Sequence, residues 1–474
     1  MLVKTATQPL SIQLSERFAE RINNRLLAPG ARLPSVRECA RTQGVSPATV
    51  VAAYDRLLAA GLVEARRNRG FFVRNTASPL VQYEKRAPQS VAKAPRSVGH
   101  APIDAAALMR GMMGGPSERP QPGMGTLPPS WLEADFLPSA LRKVTGARAV
   151  HEFSSHYGNP AGDAGLRASL SKKLAAIGIE AAPDRIITTL GATQALDIVS
   201  RTLLVAGDCV MVEEPGWAIE FARLTALGMR ILPVPRTADG PDLAVMARYC
   251  ELHQPKLFVS VSVLHNPTGA SLSAHSAHRV LQLAARQDFH IAEDDTYSHL
   301  APAHATRLTA LDGLHRCIYV SGFAKILAPS WRVGYIAAPA ALVQRLEDTK
   351  LLATLTTPAL LEKALAWCID QGQLRRHAER IQIRLGQARA RSVKLALAAG
   401  CRFASEPAGL FGWVDTGVDT DTLAQALLDD GYMIAPGALF HATRKPSTLM
   451  RINFATTQDS EFWRAFERRA AALR

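Results

Sequence analysis

Lys325 stands seven residues before Arg332, just after the strand-like apolar run Ile318–Ser321. An amine in such a place is a nucleophile for a carbonyl group, and a guanidinium is a two-pronged partner for a phosphate. Gly191, Ala192 and Thr193 open a helix directly after the apolar run Ile186–Thr189, and the first amides of a helix attract anions. Asp294 closes a third run, with Tyr297 three residues on. Asn266 begins an Asn-Pro-Thr-Gly turn, Trp217 follows Glu-Pro-Gly, Tyr157 precedes Gly-Asn-Pro, and Arg451 lies in the apolar stretch Met450–Phe454. Taken singly these features have plainer readings: a turn at Asn266, core packing for Trp217, an ion-paired strand residue at Arg451. Glu293 and Asp295, on either side of Asp294, are read as structural. Their joint occurrence in this order makes the signal.

The elements that must carry these residues alternate. Ile186–Thr189, Cys209–Glu213, Leu257–Val263, His290–Glu293, Ile318–Ser321 and Val333–Ala337 are short apolar runs separated mostly by amphipathic helical stretches. That pattern predicts a mostly parallel α/β sheet from about residue 123 onward. The first 75 residues differ. Leu10, Leu14, Phe18, Ile22 and Leu26 repeat at helical spacing over Leu10–Leu27. A second helix runs from Pro34-Ser35 to about Thr42, and Ser46-Pro47 opens a third that Gly61 stops. Leu62–Ala65 and Gly70–Arg74 form a hairpin around a basic turn, which completes a winged helix-turn-helix. Residues 76–122 are punctuated by proline among Ala, Ser, Gly and basic residues, and read as a linker with a possible short helix over Asp104–Met113. The expected organisation is thus 1–75, a linker of 76–122, and an α/β domain of 123–474 with a large subdomain at about 160–340 and a small one from the remainder.

Charge follows this division. Residues 1–100 hold 16 Lys/Arg against 6 Asp/Glu, whereas the other 374 hold 39 against 35. A basic module on a nearly neutral body is the footprint of a phosphate-binding head. The six cysteines are scattered without metal-ligand spacing, so no metal is expected and reduced thiols in a cytoplasm are. No apolar run is long enough for a membrane span, and residues 1–14 lack a signal-peptide core.

Residues Arg32–Glu38, Gly44–Ser46 and Tyr54–Val63 make the first 75 residues resemble the GntR family of winged-helix regulators. The resemblance implies that Ser35 and Arg37 touch DNA phosphates, that Ser46 and Thr49 approach backbone and bases, and that Arg67, Arg69 and Gly70 of the wing reach the minor groove or its backbone. Pro47 and Ala48 depart from the Arg or Asn often found there, which shifts sequence readout toward the wing or DNA shape.

The second set of motifs resembles the fold-type I pyridoxal-phosphate enzymes, the aspartate-aminotransferase class. By that resemblance Lys325 forms the Schiff base with pyridoxal 5'-phosphate. Arg332, Ala192, Thr193 and Ser321 hold its phosphate. Asp294 keeps the pyridine nitrogen protonated, Tyr297 and Asn266 bond the phenolic oxygen, and Trp217 stacks on the ring. Tyr157 crosses to the partner subunit's phosphate, and Arg451 grips a substrate carboxylate. Gly322 stands where the family usually has a hydroxyl residue, so one phosphate contact is lost or re-routed.

Head, linker and body in this order resemble the MocR group of regulators. The group implies a cytoplasmic homodimer that binds promoter DNA and senses an amine or amino-acid effector through aldimine chemistry, without physiological turnover. Two alternatives stay open: a working aminotransferase with a DNA-tethering head, and a regulator sensing pyridoxal phosphate itself. Arg451 argues against the latter, since a cofactor sensor needs no carboxylate clamp.

Overall fold

The chain divides by its internal contacts into Met1–Ser117 and Glu118–Arg474. The structure is a computed structural model that describes residues 8–23, 27, 30–66, 69–74 and 121–474. The proline-punctuated segment up to residue 120, its expected short helix and Arg67 lie outside the described residues.

In the first unit, α1 (Leu10–Asn23), α2 (Val36–Gln43) and α3 (Pro47–Ala59) precede the antiparallel hairpin β1 (Val63–Arg66) and β2 (Gly70–Val73). The first helix is described over Leu10–Asn23, and Leu27 donates its N–H to the Arg21 carbonyl at 3.1 Å; residues 24–26 of the expected helix lie outside the described residues. The helical repeat is spent on one buried face, where Leu14 and Phe18 meet Val50, Tyr54 and Leu57 of α3. Tyr54 packs edge-on against Phe18 and Phe71, and its hydroxyl donates to the Pro34 carbonyl at 2.9 Å. One aromatic therefore ties helix, turn and wing together.

The second unit is built on a seven-stranded sheet. Its strands are β3 (Ile186–Thr189), β4 (Cys209–Glu214), β5 (Arg230–Pro235), β6 (Leu257–Ser260), β7 (His290–Asp294), β8 (Cys317–Gly322) and β9 (Gly334–Ala337), in the order β3-β9-β8-β7-β6-β4-β5. Pairs from β5 through β8 are parallel, while β9 runs antiparallel to both neighbours. The six apolar runs all become strands. β5 was not anticipated, because its two prolines break the apolar run of what is an edge strand. Alternation along β4 sends Val210 and Val212 into one core and Cys209 and Met211 into the other, so helices cover both faces. A smaller antiparallel sheet holds β10 (Arg402–Phe403), β11 (Phe411–Asp415), β12 (Ala435–Pro436) and β13 (Leu449–Asn453), in the order β10-β11-β13-β12.

Parallel pairing has a direct consequence for chemistry. The C-terminal ends of β4, β6, β7 and β8 lie on one edge of the sheet. β3 shares their direction through the antiparallel β9, and β9 starts at that same edge, with Arg332 just before it. Such an edge is where open α/β sheets bind ligands.

Candidate functional site

Connections from that edge meet around a small cleft lined by Val212, Trp217, Glu220, Val261, His265 and Asp294 among others. Trp217 arrives on the loop after β4, where Gly216 donates to the Phe440 carbonyl at 2.8 Å. Asp294 ends β7. Strand alternation separates it from its neighbours: Glu293 accepts from the Leu308 and Thr309 amides, and Asp295 pairs with Arg307 at 2.6 Å. The expected structural roles of Glu293 and Asp295 match these contacts. One oxygen of Asp294 accepts from both the hydroxyl and the amide of Thr296. Burial pushes the Asp294 carboxyl up to about 6, against the pull of Thr296.

Lys325 follows β8, with its amine 5.6 Å from the Tyr297 ring centre. Burial first, and then the charge of Arg451, lower its pKa to about 8, while Asp294 opposes them. Its amine donates to the Gly125 carbonyl at 2.7 Å. Tyr297 is buried edge-on to Phe411, and burial raises its phenol. Asn266 accepts from Arg451 at 2.9 Å. Arg451 itself comes from the other sheet, on β13, and lies over Phe411 and Phe440 at 4.4 and 5.2 Å. Burial lowers its pKa to about 10, and its Nε is buried without a hydrogen-bond partner.

A second cluster forms beside this one. The helix α4 (Ala192–Leu203) begins after Gly191, whose φ of 88° only glycine adopts readily and which supplies no side-chain cap, so the amides of Ala192 and Thr193 stay open. A Cβ at Gly191 would lie 2.6 Å from Arg332 Nη2, and one at Gly334 would lie 2.5 Å from the Gly191 carbonyl carbon. Two glycines thus let the guanidinium settle against the helix start. Arg332 adopts φ 52°, a conformation rare for a side-chain-bearing residue, and donates to the Leu190 carbonyl at 3.0 Å. A Cβ at Gly322 would sit 3.5 Å from the Ala192 nitrogen and 3.3 Å from the Val333 carbonyl, so the departure at Gly322 falls directly over the helix amides.

Two expected residues are placed apart. Ser321 is buried and gives its hydroxyl to the Asp295 carbonyl at 2.9 Å. Tyr157 is 83% exposed on the surface. Thr296, the Phe411–Phe440 pair and the backbone at Gly123–Gly125 escaped the sequence reading. Thr296 carried a weak signal, a hydroxyl two residues after the acid; the others carried none, since their partners lie far away in sequence.

In the first unit, Ser35 caps α2 by accepting from the Glu38 amide at 3.2 Å, and Ser46 caps α3 by accepting from the Thr49 amide at 3.1 Å. The Ser46 and Thr49 hydroxyls are 2.8 Å apart. Arg37, Arg69 and Gly70 are exposed, and Gly70 has φ 98°.

The profile of bacterial regulatory proteins of the gntR family matches residues 10–73, and that of aminotransferase class I and II matches residues 133–468. The probable rhizopine catabolism regulatory protein MocR of Rhizobium meliloti is 31% identical over 391 residues, spanning 81% of this chain and 76% of its own. The chain belongs to the MocR-type transcriptional regulators. This MocR-type chain is also 24% identical over 470 residues to the uncharacterized HTH-type transcriptional regulator YisV of Bacillus subtilis, covering 96% of this chain and 94% of that one. LysN, alpha-aminoadipate aminotransferase of Thermus thermophilus, shares the fold of the second unit with a TM-score of 0.70 and 23% identity, over 77% of this chain and 95% of LysN. The MocR-type architecture is therefore a GntR DNA-binding domain joined to a fold-type I aminotransferase domain, whose cofactor is pyridoxal 5'-phosphate. The residues fit that group: an amine with a lowered pKa, a buried acid opposite, and a glycine-lined anion cradle. No helix among the described residues is long and apolar enough to cross a membrane.

Proposed function

We propose that this regulator reads an amine or amino-acid effector at the Lys325 site and converts its occupancy into a change in promoter binding, as a homodimer. The observation that carries the reading is the gathering of Lys325, Asp294 and Arg451 in one buried neighbourhood, with Lys325 and Arg451 bonded to the Gly125 and Gly123 carbonyls, in a chain whose other unit is a GntR head. The cofactor supplies an aldehyde and an electron-withdrawing ring when bound. Arg332 and the Ala192 and Thr193 amides hold its phosphate, by charge and by the open helix start. Asp294, held in place by the Thr296 hydroxyl and amide, would keep a proton at the ring nitrogen. Trp217 would pack against the ring. Tyr297 and Asn266 orient the phenolic edge, and Arg451 binds the effector carboxylate.

Tyr157 projects from its own subunit, which suits an aromatic that completes the partner's phosphate site. In the head, Arg37, Arg69 and the helix starts at Ser35 and Ser46 meet DNA phosphates, and Thr49 approaches the bases. Transamination is the second reading, favoured by the lowered pKa of Lys325, because a neutral amine can also accept a proton.

Lys325→Ala in the full chain tests the reading. The variant is expected to stay folded, to lose the yellow absorbance fixed by borohydride, to bind promoter DNA, and to ignore the effector. A normal effector response from this variant overturns the proposal, and steady product from an amino acid and a keto acid with the native chain moves the function to transamination.

A further inference from the structure

The two cations that the proposed function assigns to ligands are held by the chain itself. Arg451 Nη2 donates to the Gly123 carbonyl and Lys325 Nζ to the Gly125 carbonyl, both at 2.7 Å. Residues 121–126 therefore lie as a strap across the site. The small sheet fastens them: Gly123 donates to the Met433 carbonyl at 2.8 Å, and Asn453 donates through its side-chain amide to the Met124 and Thr126 carbonyls at 3.0 and 2.7 Å. The strap is flush with the backbone behind it, since a Cβ on Gly123 would meet the Ile434 carbonyl carbon at 2.5 Å.

This arrangement is stable only while nothing better reaches Arg451. Its present acceptors, the Gly123 carbonyl and the Asn266 side chain, are both neutral, and its Nε has no partner. A carboxylate is an ionised acceptor that engages two guanidinium nitrogens at once and bonds roughly twice as strongly as a carbonyl. The buried guanidinium packs against the Phe411 and Phe440 rings, which hold it in place when a ligand arrives. The carbonyl is the partner that must yield. Lys325, once engaged elsewhere, no longer holds Gly125 as it does here.

We propose that residues 121–126 are a built-in occupant of the Arg451 site, and that a carboxylate ligand lifts them by displacing the Gly123 carbonyl. This rests on the reading of Arg451 as the carboxylate anchor and narrows the effector to a carboxylate-bearing amino acid rather than a simple amine.

Hydrogen–deuterium exchange on the full-length, cofactor-loaded protein tests this, with maleate as a carboxylate lacking an amine and propylamine as an amine lacking a carboxylate. Maleate is expected to speed exchange of the Gly123 and Met124 amides about tenfold, the effect of losing one charge-assisted hydrogen bond, and propylamine to leave it unchanged. Arg451→Gln is expected to exchange fast without ligand and to ignore maleate. Maleate that binds by calorimetry without moving the strap overturns the proposal and leaves the carboxylate reading intact. Maleate that does not bind removes that reading and the proposal with it. Equal acceleration by propylamine overturns the narrowing to carboxylates, and slow exchange in Arg451→Gln shows that Arg451 does not hold the strap.

Discussion

Lys325 and Arg451 are separated by 126 positions, yet the charge of one helps set the proton of the other. Burial and Arg451 both disfavour the ammonium form, so Lys325 loses its proton near pH 8. The neutral amine is the nucleophile, so uptake of pyridoxal phosphate by cofactor-free protein is expected to quicken by about tenfold per pH unit up to roughly 8 and then level off. Arg451→Gln removes a positive neighbour, which raises the Lys325 pKa and moves the break to higher pH. Stopped-flow absorbance across pH 6–10 measures both profiles. A break that stays in place in the variant separates the two residues electrostatically. Asp294 titrates in the opposite sense: burial holds its proton up to about 6 in the cofactor-free protein, and above that pH the carboxylate is ready to pair with a protonated ring nitrogen.

Whole elements are set by backbone requirements that single residues meet. The start of α4 is open because Gly191 reaches a left-handed conformation and leaves room for Arg332. Gly191→Ala brings a methyl within 2.6 Å of the guanidinium as well as straining the turn. It is expected to weaken pyridoxal phosphate binding about tenfold or more, as charge-assisted bonds to the phosphate are lost, with the fold retained. Fluorescence titration with parallel circular dichroism checks this; undiminished affinity places the phosphate elsewhere. In the head, the Ser46 hydroxyl caps the recognition helix, so Ser46→Ala is expected to cost about 1 kcal/mol of stability in that unit, read by its thermal unfolding.

At the scale of the whole molecule, the basic head and nearly neutral body divide the labour. Residues 1–75 carry 12 Lys/Arg against 5 Asp/Glu, which makes promoter binding strongly dependent on salt through counterion release. The exposed Arg37 of the full chain is expected to supply one phosphate contact. Arg37→Ala should then weaken binding on all sequences alike and lower the slope of log affinity against log salt by about 1. Fluorescence anisotropy at several salt concentrations measures the slope, and an unchanged slope removes Arg37 from the interface.

The sequence by itself determined the order of units, six of the seven large-sheet strands, the caps at Ser35 and Ser46, and the strand ends on which Trp217 and Asp294 reach the cleft. Each follows from local rules: a period of 2 or 3.6, a hydroxyl before a helix, or motifs in a known order. What stayed hidden needed contacts between distant segments. β5 was missed because two prolines interrupt its apolar run, as an edge strand allows, and only the neighbouring β4 reveals its place. The strap was illegible for the same reason. Gly123 and Arg451 are 328 residues apart, and nothing in either one's neighbourhood announces that a backbone carbonyl will lie where a carboxylate would bind. Local sequence sets which groups are available, whereas only the closed chain decides which cation meets which oxygen.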